Sequence, residues 1–264
     1  MVAYKHGFAL LLLALTCSCG GKSSGDSKTV RNITFQTDDN YTIAATLYTV
    51  KQPNPAGLIL VPMLGTTRDR WDSFARYAQS DGYQSIAIDM RGHGDSCVKG
   101  GQKTSYKSFS TEDWLGVARD IAAAKQALLH AGTDPDNIAV AGASIGSNLA
   151  LQYACGDLDT QAVVMLSPGL NYHGVDAAQA MRDYGNRPVL LMTATGDAYS
   201  AQSCTALKPL AVGHCEVREY DGTAHGTDLF DAHETCAGQV LLWLSAIIGP
   251  KAAEGHPPTP PGAS

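Results

Sequence analysis

Residues 138–143 form an apolar, β-type run that drives straight into Gly142-Ala143-Ser144-Ile145-Gly146, and a helix-type pattern leaves that corner and runs on through residues 149–154. A strand that turns so abruptly into a helix pushes the residue at the corner into a strained backbone conformation. If Ser144 is a nucleophile, this is the arrangement it needs, because its hydroxyl then stands free at the sheet edge. Gly142 and Gly146 flank the crowded corner, where a Cβ would collide with neighbouring backbone. The amide of Ile145 opens the helix and can help hold an oxyanion. A tight turn closed by an N-capping serine would use the same five residues. The remainder of the chain must therefore supply a base and an acid in the right places.

Around this corner, apolar strands alternate with amphipathic helices. Residues 30–38 and 41–50 alternate apolar and polar side chains about Asp38-Asp39-Asn40 and read as an antiparallel hairpin. Residues 57–63 and 83–90 are nearly continuous apolar runs, as expected of strands buried on both faces. Between them, residues 67–82 have helical spacing, with Trp71, Phe74, Ala75 and Ala78 on one side and Gly82 as a stop. Ser110-Thr111-Glu112-Asp113 opens a helix that reaches His130, with Trp114, Val117, Ile121 and Ala124 on its core face. Residues 161–166 and 188–194 are further strands, separated by a weakly helical insert at 175–184. A short helix at 201–210, an alternating strand at 215–220 and an amphipathic helix at 235–248 follow. This order predicts one α/β domain over residues 30–249: a mostly parallel, twisted sheet of about eight strands, with helices on both faces and the hairpin at one edge. Trp71, Trp114 and Trp243 all fall on apolar helix faces and read as core.

Both ends of the chain read differently. Lys5 and His6 precede an apolar run over residues 8–15, too short to span a bilayer but suited to a secretory signal. Cys17 and Cys19 follow, then a polar Gly/Ser-rich linker. Residues 1–18 resemble a bacterial lipoprotein signal peptide, which would make Cys19 the lipid-modified first residue of the mature chain. Ser18, small and directly preceding, favours Cys19 over Cys17. Residues 19–29 are then a linker, and residues 250–264 a Pro-rich, disordered tail. The expected location is the bacterial cell envelope, anchored to a membrane through that lipid alone, with ordinary secretion or a periplasmic protein as the alternative. A net charge of −6 argues against nucleic acid or an anionic membrane surface as a partner.

In an open sheet of this kind, ligands sit beyond the carboxyl ends of the strands, so polar residues directly after apolar strands are the ones to weigh. The strand at 188–194 ends in Thr195-Gly196-Asp197, and a carboxylate there can accept from an imidazole Nδ1–H. The strand at 215–220 ends in Asp221-Gly222-Thr223-Ala224-His225-Gly226, where a loop histidine can swing over Ser144. The alternatives are worse placed. His214 starts a strand, His233 starts the closing helix and His256 lies in the tail. Asp157 and Asp159 follow a helix, and Asp221 is too close to His225 in sequence to orient its ring freely. His93, between glycines, reads as a residue that holds its own turn. No His, Cys or Asp spacing matches a zinc or calcium site, and no glycine-rich phosphate loop is present. No cofactor is expected.

The motifs Gly-Ala-Ser-Ile-Gly, Thr-Gly-Asp-Ala and Ala-His-Gly-Thr occur in the order Ser144, Asp197, His225. Arg91-Gly92-His93-Gly94-Asp95-Ser96 also follows a strand. In these the chain resembles the α/β-hydrolase family over residues 32–249, and most nearly its dienelactone-hydrolase-like esterases, which carry little or no lid. Many of those use cysteine as nucleophile; serine here points to esters. The resemblance implies a second oxyanion amide in the loop after the first parallel strand. Val61-Pro62-Met63-Leu64-Gly65 stands there in place of the usual His-Gly, which makes the amide of Leu64 the donor by position, with Met63 as the rival. It also implies a small-molecule ester as substrate. Roughly 20 residues separate Ser167 from Arg187, where lidded relatives insert a cap, so the pocket should be shallow and suited to small or exposed acyl groups, with Tyr172, His173 and Tyr184 as candidate lining. A thioesterase, a peptidase or a non-catalytic envelope binding module on the same fold are the other readings; the intact Ser144, Asp197 and His225 set favours the esterase. Of Cys97, Cys155, Cys204, Cys215 and Cys236, the pair Cys204 and Cys215 brackets a short helix and is the first candidate for a disulfide.

Overall fold

The computed structural model describes residues 29–249. The signal peptide, Cys17, Cys19, nearly all of the linker, His256 and the tail lie outside the described residues. Within them, β1 (Val30–Gln36) and β2 (Tyr41–Tyr48) form the antiparallel hairpin, Val30 opposite Tyr48 and Gln36 opposite Thr42. Next come β3 (Gly57–Val61), a 3-10 turn at Arg68–Trp71, α1 (Asp72–Ser80) and β4 (Gln84–Ile88). Two dipeptide strands, β5 (Val98–Lys99) and β6 (Gln102–Lys103), precede α2 (Thr111–Leu115) and α3 (Val117–His130). The centre of the chain is β7 (Ile138–Ala143), α4 (Ile145–Gly156) and β8 (Thr160–Leu166). A small hairpin, β9 (Asn171–Tyr172) and β10 (Val175–Asp176), leads into α5 (Ala177–Asp183). The chain closes with β11 (Val189–Ala194), α6 (Ala198–Leu207), β12 (Cys215–Tyr220), α7 (Asp228–Ala232) and α8 (Cys236–Ser245).

The sheet runs β12-β11-β8-β7-β3-β4-β2-β5-β6, with β1 paired to β2. The six strands from β12 to β4 are parallel, and β2 is antiparallel to β4. Eight strands are therefore those anticipated, and β5 and β6 are additions. From β3 the chain crosses to β4, then returns over β3 to β7 and continues the other way. The order reverses between β3 and β7, so the crevice beyond their carboxyl ends is where such a sheet binds ligands. Alternate residues feed two cores. Ile59, Val61, Ile138 and Val140 pack under α3–α6, while Leu58, Leu60, Ala139 and Ala141 pack against α1 and α8. All three tryptophans are buried. Among the described residues, no helix is long and apolar enough to cross a membrane.

Three local expectations need correction. The single helix over residues 110–130 is two helices that meet at Gly116, which keeps helical dihedrals of −60° and −19°; the Arg91 guanidinium fills the space beside it, and a Cβ there would stand 2.6 Å from Arg91 Nη1. Its start is as read, with Ser110 and Asp113 forming a reciprocal cap. The insert at 175–184 begins as a strand, since Val175 and Asp176 pair with Tyr172 and Asn171. Cys204 and Cys215 are both free thiols. Burial pushes Cys204 up to about 12 and Cys215 upward as well, and a thiol that does not ionise is a poor entrant to disulfide exchange.

The loop after β4, residues 89–96, is fixed from within. Arg91, 2% exposed, donates from its backbone N to Asp120 Oδ2 (2.8 Å), from Nε and Nη2 to Asp120 Oδ1 (2.9 and 2.8 Å) and from Nη1 to Asp39 Oδ2 (2.8 Å). The guanidinium also lies over the Tyr41 ring at 4.3 Å.

Candidate active site

The loops that follow β3, β7, β8, β11 and β12 all emerge at one edge of the sheet, and they bring the sequence candidates together. Ser144 has φ +54° and ψ −126°, a backbone state that residues with a Cβ avoid and that costs of order 1–3 kcal/mol. Its N–H donates to the Leu166 carbonyl (2.8 Å) and its carbonyl accepts from the Ser147 N–H (2.9 Å). The corner is as crowded as its glycines suggest. A Cβ at Gly142 would fall on the Gly146 carbonyl, and one at Gly146 would fall on the Pro62 carbonyl and within 2.6 Å of that of Val61. Helix α4 can therefore press on the end of β3, which sets the 62–65 loop beside its N-terminus.

Asp197 caps β11 and His225 follows β12, and the His225 Nδ1–Asp197 Oδ2 distance is 2.7 Å. That bond holds the proton on Nδ1 and leaves Nε2 as the basic nitrogen. The histidine loop is seated over the serine corner. Gly226 has φ +58°, and a Cβ there would overlap Met63 Sδ and stand 3.3 Å from Ala143 Cβ, the neighbour of Ser144. Glycine is needed at 226 on both counts. The loop is also tied by Ser167, whose buried Oγ accepts the Gly226 N–H at 2.8 Å. Sequence reading missed Ser167. Its signal was available, since it is the polar residue directly after the apolar run of β8.

The rejected candidates sit elsewhere. His214 is exposed beside Glu216, and His233 stacks on Tyr220. Asp157 accepts from Lys125, Tyr153 and Thr160, a structural knot behind the sheet. His93 holds its turn: its Nδ1 lies 3.0 Å from the Arg91 carbonyl oxygen, its ring stacks on Tyr106, and burial lowers its pKa so that it stays neutral. Among the described residues, no group of three His, Cys, Asp or Glu side chains could hold a metal ion.

Of the three candidate lining residues, Tyr172 faces Ser144, and His173 is exposed and stacked on Trp114. Tyr184 is a correction. It is buried in the core under Arg187, which binds the carbonyls of Asp157 and Thr160 at the opposite edge of the sheet. Leu64 projects into solvent, 40% exposed, while the Met63 side chain is buried against Gly226. The connection from Ser167 to Arg187 holds only the β9–β10 hairpin and α5, so no cap domain covers this edge.

A serine on a strained corner, only 8% exposed, under a loop whose histidine is hydrogen-bonded to a carboxylate, is an arrangement suited to acyl transfer. The chain is 28% identical over 154 residues to the acyltransferase drtE of Aspergillus calidoustus; the match covers 58% of this chain and 47% of that protein, so the chain spans about half its length. Two solved structures share the fold. One is the α/β hydrolase GrgF from Penicillium sp. sh18 (TM-score 0.70, 14% identity, 83% of this chain and 99% of that one). The other is the esterase Pf2001 of Pyrococcus furiosus (TM-score 0.67, 15% identity, 83% and 93%). The sequence model described as serine aminopeptidase, S33, matches residues 52–186, about half of the chain. The protein therefore belongs to the serine aminopeptidase S33 family of α/β hydrolases.

Proposed function

We propose that the protein is a serine carboxylesterase of the lidless, dienelactone-hydrolase-like kind, acting on small-molecule esters with small or exposed acyl groups. The observation that carries this reading is the 2.7 Å Asp197–His225 bond beneath a loop packed against the Ser144 corner. In the first step Ser144 Oγ attacks the ester carbonyl while His225 Nε2 takes its proton. The carbonyl oxygen becomes an oxyanion held by the amides of Ile145 and Leu64. His225 then returns the proton to the departing alcohol, and a water activated by the same nitrogen releases the acid.

An open site supports short substrates. Leu64 and Tyr199 stand 40% and 44% exposed near this edge, and a long acyl chain would find little enclosed apolar surface to leave water for. A series of 4-nitrophenyl esters is expected to give the highest kcat/KM at acetate or butyrate and a decline toward long chains. A strong preference for long chains would overturn the shallow-site reading. No turnover of any ester above the buffer rate would favour a binding module, and preference for aminoacyl amides would favour a peptidase. Membrane attachment through lipidated Cys19 belongs to the same proposal, motivated by the apolar run at 8–15 and the cysteines that follow. Mass spectrometry of the mature N-terminus should find a diacylated cysteine, and an unmodified N-terminus would contradict it.

A further inference from the structure

The β9–β10 hairpin is built to hold one side chain. Its turn residues His173 and Gly174 have φ +53° and +86°, the pair of positive values that a two-residue hairpin turn demands. Asn148, buried in α4 one turn beyond Ser144, clamps both ends of the segment. Its Nδ2 donates to the carbonyls of Gly169 (2.9 Å) and Val175 (3.1 Å), and its Oδ1 accepts the Gly169 N–H (3.2 Å). The Tyr199 hydroxyl accepts the Asn171 N–H (3.1 Å) and donates to the Asn171 carbonyl (3.0 Å). Tyr172, half-buried, packs edge-on against the Tyr199 ring at 5.5 Å. It lies so close to Gly169 that a Cβ there would stand 2.6 Å from its ring. The helix that begins at the candidate nucleophile thus also anchors Tyr172.

The Tyr172 hydroxyl faces two hydroxyls, those of Ser144 and Ser200. Ser200 Oγ is fully buried and has no hydrogen bond of its own, so its proton is available to the Tyr172 oxygen, which frees the phenol proton to point at the Ser144 side. Burial raises the Tyr172 pKa above its ordinary value, which keeps that proton in place at neutral pH. The sheet order puts Tyr172 on the side of β7 away from Leu64. Leu64 follows β3 on one side of β7, whereas Tyr172 follows β8 and Asp197 follows β11 on the other. With the carbonyl oxygen turned toward Ile145 and Leu64, the leaving oxygen turns toward His225 and Tyr172.

We propose that Tyr172 is a fourth catalytic residue, whose hydroxyl donates a hydrogen bond to the leaving-group oxygen as the acyl–oxygen bond breaks. The proposal rests on the serine mechanism above. In that step the electron pair of the breaking bond goes to the leaving oxygen, the transferred proton comes from His225 Nε2, and Tyr172 keeps its own. The benefit is largest for an alkoxide and negligible for 4-nitrophenolate, which leaves without help.

The test is a comparison of wild type, Tyr172→Phe, Ser200→Ala and Ser144→Ala on ethyl acetate and 4-nitrophenyl acetate, with Tm for each. Tyr172→Phe is expected to lower kcat/KM for the ethyl ester about 10- to 100-fold and to leave the nitrophenyl ester nearly unchanged. Ser200→Ala should discriminate in the same direction by a smaller factor. Equal loss on both esters would make Tyr172 a structural residue, and no loss on either would also overturn the proposal, while an inactive Ser144→Ala would keep the serine mechanism standing. An active Ser144→Ala would instead remove the mechanism itself.

Discussion

Ser144→Ala is expected to lower kcat/KM for 4-nitrophenyl acetate by about 10⁴-fold or more, with the Tm held within a few degrees. The size follows from what the hydroxyl does. On the proposed mechanism no acyl-enzyme forms without it, and only binding and the amides of Ile145 and Leu64 would remain to assist attack by water. His225→Ala should cost about as much, and the double variant no more than either, because nucleophile and base act as one unit. Asp197→Asn should cost somewhat less. It keeps the shape of the contact but favours the wrong imidazole tautomer, since the 2.7 Å bond at Nδ1 is what leaves Nε2 free to accept a proton. Activity assays with circular dichroism and a melting curve on each variant check all of this; wild-type rates in either single alanine variant would contradict it.

The largest expected loss of stability lies away from the chemistry. Asp120→Ala would leave Arg91 buried with only Asp39 to answer its charge, after losing three hydrogen bonds of 2.8–2.9 Å. Asp120 has no exposed surface and Arg91 almost none, so water cannot take the place of the carboxylate. Removing one partner of such a buried pair costs about 3–5 kcal/mol, and for a domain of this size that lowers Tm by roughly 10 °C. Urea unfolding gives the figure directly. A change below about 1 kcal/mol, in the range of exposed ion pairs, would show that the network is not the clamp on the 89–96 loop that its geometry indicates.

The fold was legible because each strand of the parallel sheet is a short apolar run bounded by turn residues, and because polar residues after those runs necessarily share one edge. Ser144, Asp197 and His225 could be picked out as candidates by that rule, and Asp157 and Tyr184 show what happens at the other edge: they serve the scaffold. What could not be read were contacts between loops distant in sequence. Arg91 filling the space beside Gly116 and Asn148 clamping the Tyr172 hairpin both depend on which strands are neighbours. No local pattern encodes that. Cys204 and Cys215 failed for the related reason that sequence spacing does not say whether two thiols meet in bonding geometry.

The central claim is that Ser144 becomes covalently acylated. Acid quenching of the protein during turnover of 4-nitrophenyl acetate, followed by digestion and peptide mass spectrometry, tests it most directly. The account predicts one acetyl group, carried by Ser144, in wild type and in larger amount in a variant slow to deacylate, and none in Ser144→Ala. Acetylation at another residue that persists in Ser144→Ala, or steady turnover with no acyl-enzyme under any quench, would contradict it.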